Sequence, residues 1–274
     1  MAFAGGDTRS GWTFGSCVRQ GSDAFEGVLL PGQRYRARCA APTVQDMGAP
    51  PGLLALIGGN AWRPGCSFDA ELLAASGGQE VVVLPTAAAY EHPERAVVHA
   101  AEWFADLGGK IEGLMVLSRT DAEDEAMADV VSRARFLYLS GGSALHLRSV
   151  LKSSRVWKAL VSAWASGAVV SGSSAGAMVL TDPMVDPRGG GLTVGLGLVS
   201  GLAIIPHYGN EQDDPHLDRF HRSVALSPKG IPVVGIPERT ALLRDPNGEW
   251  RSAGEGEVVV FLDGRPADLG ALPR

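Results

Sequence analysis

The segment AVVSGSSAGAMVL, residues 168–180, predicts a strand, a sharp turn and a helix in immediate succession. A β-branched run stops at Gly172, and small residues then lead into an apolar helical run. Residues 172–176 fit the Gly-x-Ser-x-Gly pattern of a nucleophile elbow, in which the turn presents a serine hydroxyl at the edge of a sheet. The glycines let the backbone pass close to itself, and Ala175 leaves its N–H free to face an oxyanion. The pattern therefore predicts Ser174 as a nucleophile, and a glycine-rich junction without chemistry is the alternative.

The composition is that of a globular protein with a sizeable core, because 45% of the 274 residues are hydrophobic and 20% are charged. A net charge of -6 and the lack of any basic run argue against nucleic acid as a partner. Three widely spaced cysteines, Cys17, Cys39 and Cys66, favour a reducing compartment and no structural zinc. The sequence shows neither a membrane-length apolar run nor a signal-peptide pattern. We therefore expect a cytoplasmic protein without a membrane partner.

The first 50 residues differ in composition from the rest of the chain. They are rich in Gly, Arg, Ser and Pro, and only residues 28–30 resemble a strand. Residues 1–50 are therefore expected to form an irregular, poorly ordered extension, and residues 51–274 a single domain. Because Met47 lies just before the first clear strand, residues 1–46 are a candidate artefact of start-codon choice, which limited proteolysis would test.

Short apolar strands alternate with helices over the remaining sequence. Besides the run before Gly172, the predicted strands are Leu53–Ile57, Glu80–Leu84, Ile111–Leu117, Phe136–Leu139, Leu202–Ile205, Val233–Ile236, Thr240–Leu243 and Val258–Leu262. The predicted helices are Phe68–Ser76, Pro93–Leu107, Asp121–Val131, Ser143–Leu151 and Ser154–Ala165, and residues 181–191 are expected to form a loop. This alternation predicts an α/β fold with a doubly wound, mostly parallel sheet between helices on both faces, as three α/β/α layers.

Four predicted strand ends carry residues suited to acyl transfer, namely Gly141-Gly142, Ser174, His207 and Glu238. Ligands of doubly wound sheets bind outside the carboxyl ends of the strands, so we expect these residues at one edge of one sheet. A serine nucleophile needs a base to take its proton, and the base needs an acid to hold its tautomer. Ser174, His207 and Glu238 fit these roles. The N–H groups of Gly141 or Gly142, together with that of Ala175, are candidates for the oxyanion hole.

The order serine, histidine, acid fits an α/β-hydrolase poorly, because in that fold the histidine comes last and near the C-terminus. Here the last histidine is His221, and the closing strands carry none. An α/β-hydrolase triad in this chain would need Asp182 or Asp186 as the acid, followed by a later histidine.

The four motifs together carry a family resemblance. LSGG (139–142), GSSAGA (172–177), IPHY (205–208) and GIPE (235–238) resemble peptidase family S51, and the resemblance covers residues 53–262. This family includes cyanophycinase and the α-aspartyl dipeptidase peptidase E, on a fold like that of class I glutamine amidotransferases. The serine in place of the amidotransferase cysteine argues against glutamine hydrolysis.

The resemblance also implies roles for individual residues. Ser174 matches the family's nucleophile, His207 its general base and Glu238 its acidic member, with Asp182 as the alternative acid. No metal or organic cofactor is implied. Because members of the family often form dimers, a homodimer is one state to expect.

The chain departs from the family at positions that would touch substrate. Ser143-Ala144 stands where cyanophycinases typically show Asp-Gln and the dipeptidases Asn-Thr or similar residues. The acidic segment 209–214 stands where cyanophycinases carry an arginine-rich stretch, so cyanophycin is not the expected substrate, and an acidic rim would favour a cationic or free-amine group. Candidate substrate-binding residues are Ser143, Arg188 in a loop that could act as a lid, and Asn210.

Other polar and aromatic residues have structural explanations. We expect His92, His99 and His146 to be structural, and Trp62, Trp103, Trp157 and Trp164 to pack in the core. His216 and His221 lack the spacing of a zinc helix, so no metal site is expected. The glycine pairs 58–59 and 141–142 lack both the Gly-x-Gly-x-x-Gly pattern and a Walker lysine, so no nucleotide site is expected.

The sequence therefore predicts a serine peptidase or related hydrolase that cleaves a small peptide or amide through a Ser-His-Glu triad and an acyl-enzyme. Two alternatives remain open. One is a non-catalytic binding or regulatory protein that keeps the amidotransferase-like fold, and the other is an esterase that uses the same triad.

Overall fold

The computed structural model describes residues 25–30, 33–37, 50–188, 191–209 and 217–274, with the backbone alone at 25–30, 33–37 and 217–221. The chain divides into two units, residues 1–46 and 47–274. In the first unit, β1 (Phe25–Leu30) and β2 (Gln33–Ala37) pair as an antiparallel hairpin. The strand expected at residues 28–30 is thus part of a longer one. The other residues of the N-terminal unit lie outside the described part of the chain, and their poor order stays a prediction.

The second unit is built on a seven-stranded sheet with the order β15-β14-β3-β7-β6-β4-β5. Its strands are β3 (Leu54–Ile57), β4 (Glu80–Leu84), β5 (Lys110–Gly113), β6 (Phe136–Leu139), β7 (Val169–Ser173), β14 (Thr240–Arg244) and β15 (Trp250–Gly254). The five strands β3 to β7 are parallel, and β14 and β15 extend the sheet as an antiparallel hairpin beside β3.

Helices cover both faces of this sheet. The helices described in this unit are α1 (Phe68–Ser76), α2 (Pro93–Asp106), α3 (Arg119–Glu123), α4 (Glu125–Arg133), α5 (Ala144–Leu151), α6 (Arg155–Ala165), α7 (Ala175–Leu180) and α8 (Leu217–Leu226). Successive side chains of a strand point to opposite faces of its sheet. On one face, Ala55 and Ile57 of β3 pack with Phe68 of α1 and Phe104 of α2. The opposite face of the sheet lies against other helices, including α7. The predicted three-layer α/β/α class is confirmed. Within the described ranges, no helix combines the length and apolar character needed to cross a bilayer.

A second, four-stranded sheet has the order β12-β13-β16-β17. It contains β12 (Ala203–Pro206) and β13 (Val233–Ile236), which are parallel, and β16 (Val259–Leu262) and β17 (Arg265–Ala267), which add antiparallel. The expectation that the strands before His207 and Glu238 share one sheet with the elbow is therefore wrong. Apolar runs predict strands but do not specify their partners. Residues 237–239 carry the chain from β13 into β14, so Glu238 lies where it passes from one sheet to the other.

Two predicted elements differ in detail because of local contacts. The strand predicted to reach Leu117 ends at Gly113, since β5 is an edge strand and the chain turns towards Ser118, which caps α3. The single acidic helix expected at residues 121–131 is two helices. Asp124 ends α3 in an extended conformation, and its side chain accepts the N–H of Met127 at 3.1 Å to begin α4.

The segment expected to be a loop at residues 181–191 contains two short strands, β8 (Thr181–Asp182) and β9 (Met184–Val185). β8 pairs in parallel with β11 (Val199–Ser200), and β9 pairs antiparallel with β10 (Leu192–Thr193). These two-residue pairings hold the chain beside α7, because β8 and β9 both contact that helix.

Candidate active site

Ser174 lies on the sharp turn between β7 and α7. Its backbone has φ 52° and ψ -109°, a conformation that non-glycine residues rarely adopt and that costs on the order of 1–3 kcal/mol. The N–H of Ser174 donates to the carbonyl of Ile57 at 2.9 Å, which anchors the turn to β3. The close approach also requires Gly176, because a Cβ there would lie 2.4 Å from the carbonyl oxygen of Leu139. This is the strained strand-to-helix geometry of a nucleophile elbow.

Ser174, His207 and Glu238 form one chain of hydrogen bonds. The Oγ of Ser174 lies 2.8 Å from Nε2 of His207, and Nδ1 of His207 lies 2.8 Å from Oε1 of Glu238. A carboxylate only accepts hydrogen bonds, so Nδ1 carries the proton and Nε2 is left to accept the serine O–H. The side chains of His207 and Glu238 are 42% and 27% exposed. The structure thus brings together three residues that are 33 and 31 positions apart in sequence.

The end of β3 explains how strands from two sheets meet at one site. Three consecutive carbonyl groups, at residues 57–59, each accept one backbone hydrogen bond. The donors are the N–H groups of Ser174, His207 and Arg239, at 2.9, 2.8 and 2.9 Å respectively. The residue after Glu238, the general-base candidate and the nucleophile candidate are therefore all held by the same short stretch of backbone.

The glycine pair 58–59 has a structural purpose that the sequence analysis did not identify. A Cβ on Gly58 would lie 2.0 Å from the carbonyl oxygen of Pro237, and a Cβ on Gly59 would lie 2.3 Å from Cε1 of His207. Gly59 also has φ 128°, which side chains disfavour. The pair admits the imidazole against the backbone. The signal available in the sequence was its position directly after β3, at the same sheet edge as Ser174.

Asn60 is a further site residue that the sequence analysis missed. Its Nδ2 donates to Oε2 of Glu238 at 3.2 Å, so it contacts the carboxylate oxygen that His207 does not use. The backbone carbonyl of Asn60 accepts a contact from Sγ of Cys66 at 3.9 Å. Burial raises the pKa of the Cys66 thiol, which keeps the proton on sulfur and available for this contact.

A cavity of about 420 Å³ opens beside Ser174 and His207. Other residues in its walls include Asn60, Trp62, Arg63, Arg95 and His99. His99 and Trp62 thus do more than the packing predicted for them. Trp62 is buried and packs on Tyr138 with ring centroids 5.0 Å apart, and its ring also meets His99 edge to face at 6.3 Å.

Among the described residues that line the cavity, Arg63 and Arg95 carry a positive charge and none is an aspartate or glutamate. Both residues are exposed to solvent. The acidic rim expected from segment 209–214 lies, apart from Gly209, outside the described residues. The acidic rim expected from that segment therefore stays a prediction, and the described part of the cavity wall contains two arginines.

The three candidate oxyanion donors flank Ser174. Gly141 and Gly142 line the cavity, and a Cβ on Gly141 would lie 3.4 Å from Cβ of Ser174. Ala175 is the first residue of α7, where a backbone N–H has no acceptor within its own helix. This placement is compatible with donation to an oxyanion, and that role stays a prediction.

Asp182, the alternative acid, is not placed against His207. Its Oδ1 accepts the N–H of Gly195 at 3.0 Å, whereas Nδ1 of His207 is bonded to Glu238. The geometry thus favours Glu238 as the partner of the imidazole.

Of the candidate substrate-binding residues, Ser143 and Arg188 are not among the described residues that line the cavity. Ser143 caps α5, where its Oγ accepts the N–H of His146 at 3.3 Å. Arg188 pairs with Asp186, with Nη2 2.6 Å from Oδ2. Asn210 lies outside the described residues. Neither Ser143 nor Arg188 therefore contributes to this cavity.

The described residues include no group of three or more His, Cys, Asp or Glu side chains arranged to bind a metal ion. The side chains of His216 and His221 are not among those described.

Comparison with known proteins places this chain among peptidases. A family model described as peptidase family S51 matches residues 58–248. Cyanophycinases of Synechococcus elongatus and of Thermosynechococcus vestitus are each 27% identical to the chain over 196 residues, which cover 68% of this chain and 60% of each cyanophycinase. The chain therefore matches less than two thirds of the length of these relatives.

Two solved structures share the fold. A peptidase from an acI-B1 actinobacterium superposes with a TM-score of 0.70 and 26% identity, covering 81% of this chain and 96% of that one. A candidate peptidase E protein from Listeria monocytogenes EGD-e superposes with a TM-score of 0.53 and 18% identity, covering 77% of this chain and 98% of that one. The second likeness concerns the fold alone.

Proposed function

Because the chain belongs to peptidase family S51, we propose that it is a serine peptidase that cleaves a short peptide or related amide with Ser174, His207 and Glu238 as its triad. The observation that carries the proposal is the hydrogen-bonded chain from Ser174 through His207 to Glu238, on a strained elbow beside a cavity.

In the first half of the reaction, Oγ of Ser174 attacks the substrate carbonyl carbon, and its proton moves to Nε2 of His207. Glu238 accepts the Nδ1–H and stays ionised, which stabilises the imidazolium that forms. The carbon–nitrogen bond then breaks, and the amine leaves with the proton from Nε2. The product of this half is an ester between Ser174 and the acyl part of the substrate.

In the second half, water attacks the ester carbonyl and gives its proton to Nε2 of His207. The carbon–Oγ bond breaks, and Oγ of Ser174 takes back that proton as the acid is released. In both halves, negative charge develops on the carbonyl oxygen. The N–H groups of Gly142 and Ala175, or of Gly141 and Ala175, are the donors proposed to stabilise it.

The cavity supports a small substrate that carries a carboxylate. Its volume of about 420 Å³ falls within the usual range for small-molecule sites. Arg63 and Arg95 line it, and a guanidinium matches a carboxylate in charge and in hydrogen-bonding geometry. A short peptide supplies such a group as its C-terminal carboxylate or as an acidic side chain.

The nucleophile is tested by labelling with a fluorophosphonate and by hydrolysis of a dipeptide panel that includes Asp-Xaa peptides. We expect Ser174→Ala to abolish labelling and to lower turnover by about 10⁴-fold or more. The matched control is Ser166→Ala, which changes an exposed serine at the end of α6. A Ser174→Ala variant that kept wild-type turnover would refute the proposal.

The same assay separates the alternatives. Ser174-dependent turnover of esters but not of peptides would make the protein an esterase. No turnover of any substrate and no labelling of Ser174 would favour a non-catalytic binding protein.

The carboxylate preference is tested separately. Arg63→Gln and Arg95→Gln are expected to raise KM for peptides with a free carboxylate and to leave peptides capped as neutral carboxamides unaffected. Arg133→Gln, an exposed change at the end of α4, is the charge-matched control. Equal effects on charged and neutral peptides would contradict a carboxylate-binding role.

A further inference from the structure

Asn60 holds the one oxygen of Glu238 that the imidazole leaves free. Oε1 of Glu238 is bonded to Nδ1 of His207 at 2.8 Å, and Oε2 accepts Nδ2 of Asn60 at 3.2 Å. We propose that Asn60 is a positioning residue, which fixes the rotation of the Glu238 carboxylate so that Oε1 stays on the imidazole. This inference rests on the proposed function, since it concerns how the same triad is held.

The backbone conformation at this position selects the same residue type. Asn60 has φ 49°, in the left-handed region where asparagine, aspartate and glycine are tolerated best. Of these three, only asparagine offers a side-chain N–H. Aspartate would place a second carboxylate against Glu238, and glycine has no side chain. Both the backbone and the contact with Glu238 are thus satisfied by asparagine.

The chain on either side of Asn60 is tied to the rest of the site. The carbonyl of Gly59 accepts the N–H of Arg239, the residue after Glu238, at 2.9 Å, and the carbonyl of Asn60 accepts the contact from Cys66. The backbone of Asn60 and the backbone that carries Glu238 are therefore held next to each other. Because Asn60 already donates to Glu238, the carboxylate needs no rearrangement when positive charge develops on His207.

Within the described parts of the chain, Asn60 is the side chain that donates to Oε2 of Glu238. Glu238 is 27% exposed, so water competes for its oxygens. The neighbouring cation, Arg239, pairs instead with Glu255 at 3.0 Å. Without Asn60, we expect the carboxylate to rotate more freely and to hold the imidazole less often in the orientation that accepts the Ser174 proton.

The test uses Asn60→Gly and Asn60→Asp in the full chain, with kcat, KM and the rate constant of fluorophosphonate labelling as readouts. Asn60→Gly keeps the left-handed backbone and removes the donor. We expect kcat and the labelling constant to fall by about ten-fold, and by more in Asn60→Asp, while KM stays within about two-fold of wild type. Ser153→Gly is the control, because Ser153 is exposed and also has a positive φ, of 60°.

A double-mutant cycle with Glu238→Ala decides whether Asn60 acts through Glu238. Once the carboxylate is gone, Asn60→Gly should change the labelling constant by less than about two-fold. An equal fall in both backgrounds would overturn the proposal. It would also be overturned by a rise in KM at unchanged kcat, which would make Asn60 a substrate contact.

The labelling experiment separates an error in the role of Asn60 from an error in the proposed triad. If the wild-type protein is labelled at Ser174 and the Asn60 variants keep its kcat and labelling constant, only the role of Asn60 is refuted. Absence of Ser174 labelling in the wild-type protein would refute both.

Discussion

Replacing Gly59 with alanine should remove most of the hydrolytic activity, because this backbone position lies directly against the imidazole of His207. A Cβ built on Gly59 would be 2.3 Å from Cε1, 2.7 Å from Nδ1 and 2.9 Å from Nε2. Non-bonded carbon atoms normally stay about 3.5–4.0 Å apart. The ring would therefore have to retreat by about 1 Å or more, comparing that spacing with the 2.3 Å contact.

Such a shift affects both hydrogen bonds of the imidazole, each of which is now 2.8 Å long. Their lengthening by about 1 Å would take them outside hydrogen-bonding range. Misplacement of a catalytic group by about 1 Å can cost roughly 100-fold in rate. We therefore expect kcat/KM and the fluorophosphonate labelling constant of Gly59→Ala to fall by about 100-fold.

The control variant must add a side chain at a glycine with positive φ, as Gly59→Ala does, but without a contact with the imidazole. Gly167→Ala fits, because Gly167 has φ 99° and a Cβ built there meets nothing within 4 Å. Urea unfolding should show both variants to be destabilised, while only Gly59→Ala loses activity. A folded Gly59→Ala protein with wild-type kcat/KM would refute the view that this close approach sets the position of His207.

Two further predictions concern acidic residues. Steady-state kinetics should show that Glu238→Gln lowers kcat by about 10³-fold or more, because Glu238 holds the imidazole of His207. Asp182→Asn should keep most of the activity, because the Asp182 carboxylate accepts a hydrogen bond from the N–H of Gly195 instead. The opposite ranking of the two variants would make Asp182 the acid. Asp69 in α1 is buried and accepts the indole N–H of Trp103 at 2.9 Å, and burial raises the pKa of its carboxyl from 3.8 to about 7. Between these values the folded protein binds a proton that the unfolded chain lacks, so this residue's contribution makes stability fall as the pH rises from about 4 to about 7 and level off above that. Asp69→Asn should remove this decline, measured as the difference between urea unfolding at pH 5 and at pH 8, and an unchanged pH dependence would contradict the assignment.

Much of the fold and the three triad candidates could be predicted from the sequence, because they depend on local patterns. The elbow around Ser174 needs a strand, small residues and a helix in succession, and all three are visible in residues 168–180. The strand at 136–139 and the helix at 68–76 follow from apolar runs with clear ends. His207 and Glu238 stand directly after β12 and β13, where ligand-binding residues of α/β proteins are commonly found.

The sequence did not reveal how those residues come together. Apolar runs do not encode strand partners, so the second sheet that carries His207 was missed. The cavity wall likewise combines Arg63, which follows β3, with Arg95 and His99 from α2, and no local pattern links them. The predicted substrate residues Ser143 and Arg188 failed to reach this cavity because each is held by a neighbour in its own segment.

The sequence by itself determined the elbow, the strand–helix rhythm and the family, since each is written in residues close together along the chain. Only the tertiary structure decided that the end of β3 is the place where the site is assembled. The reason is physical: residues 57–60 act through backbone carbonyls, through the missing side chain of Gly59 and through one amide of Asn60. Their partners in the site, Ser174, His207, Glu238 and Arg239, lie far away in sequence, so their function emerges only when these distant segments pack against them.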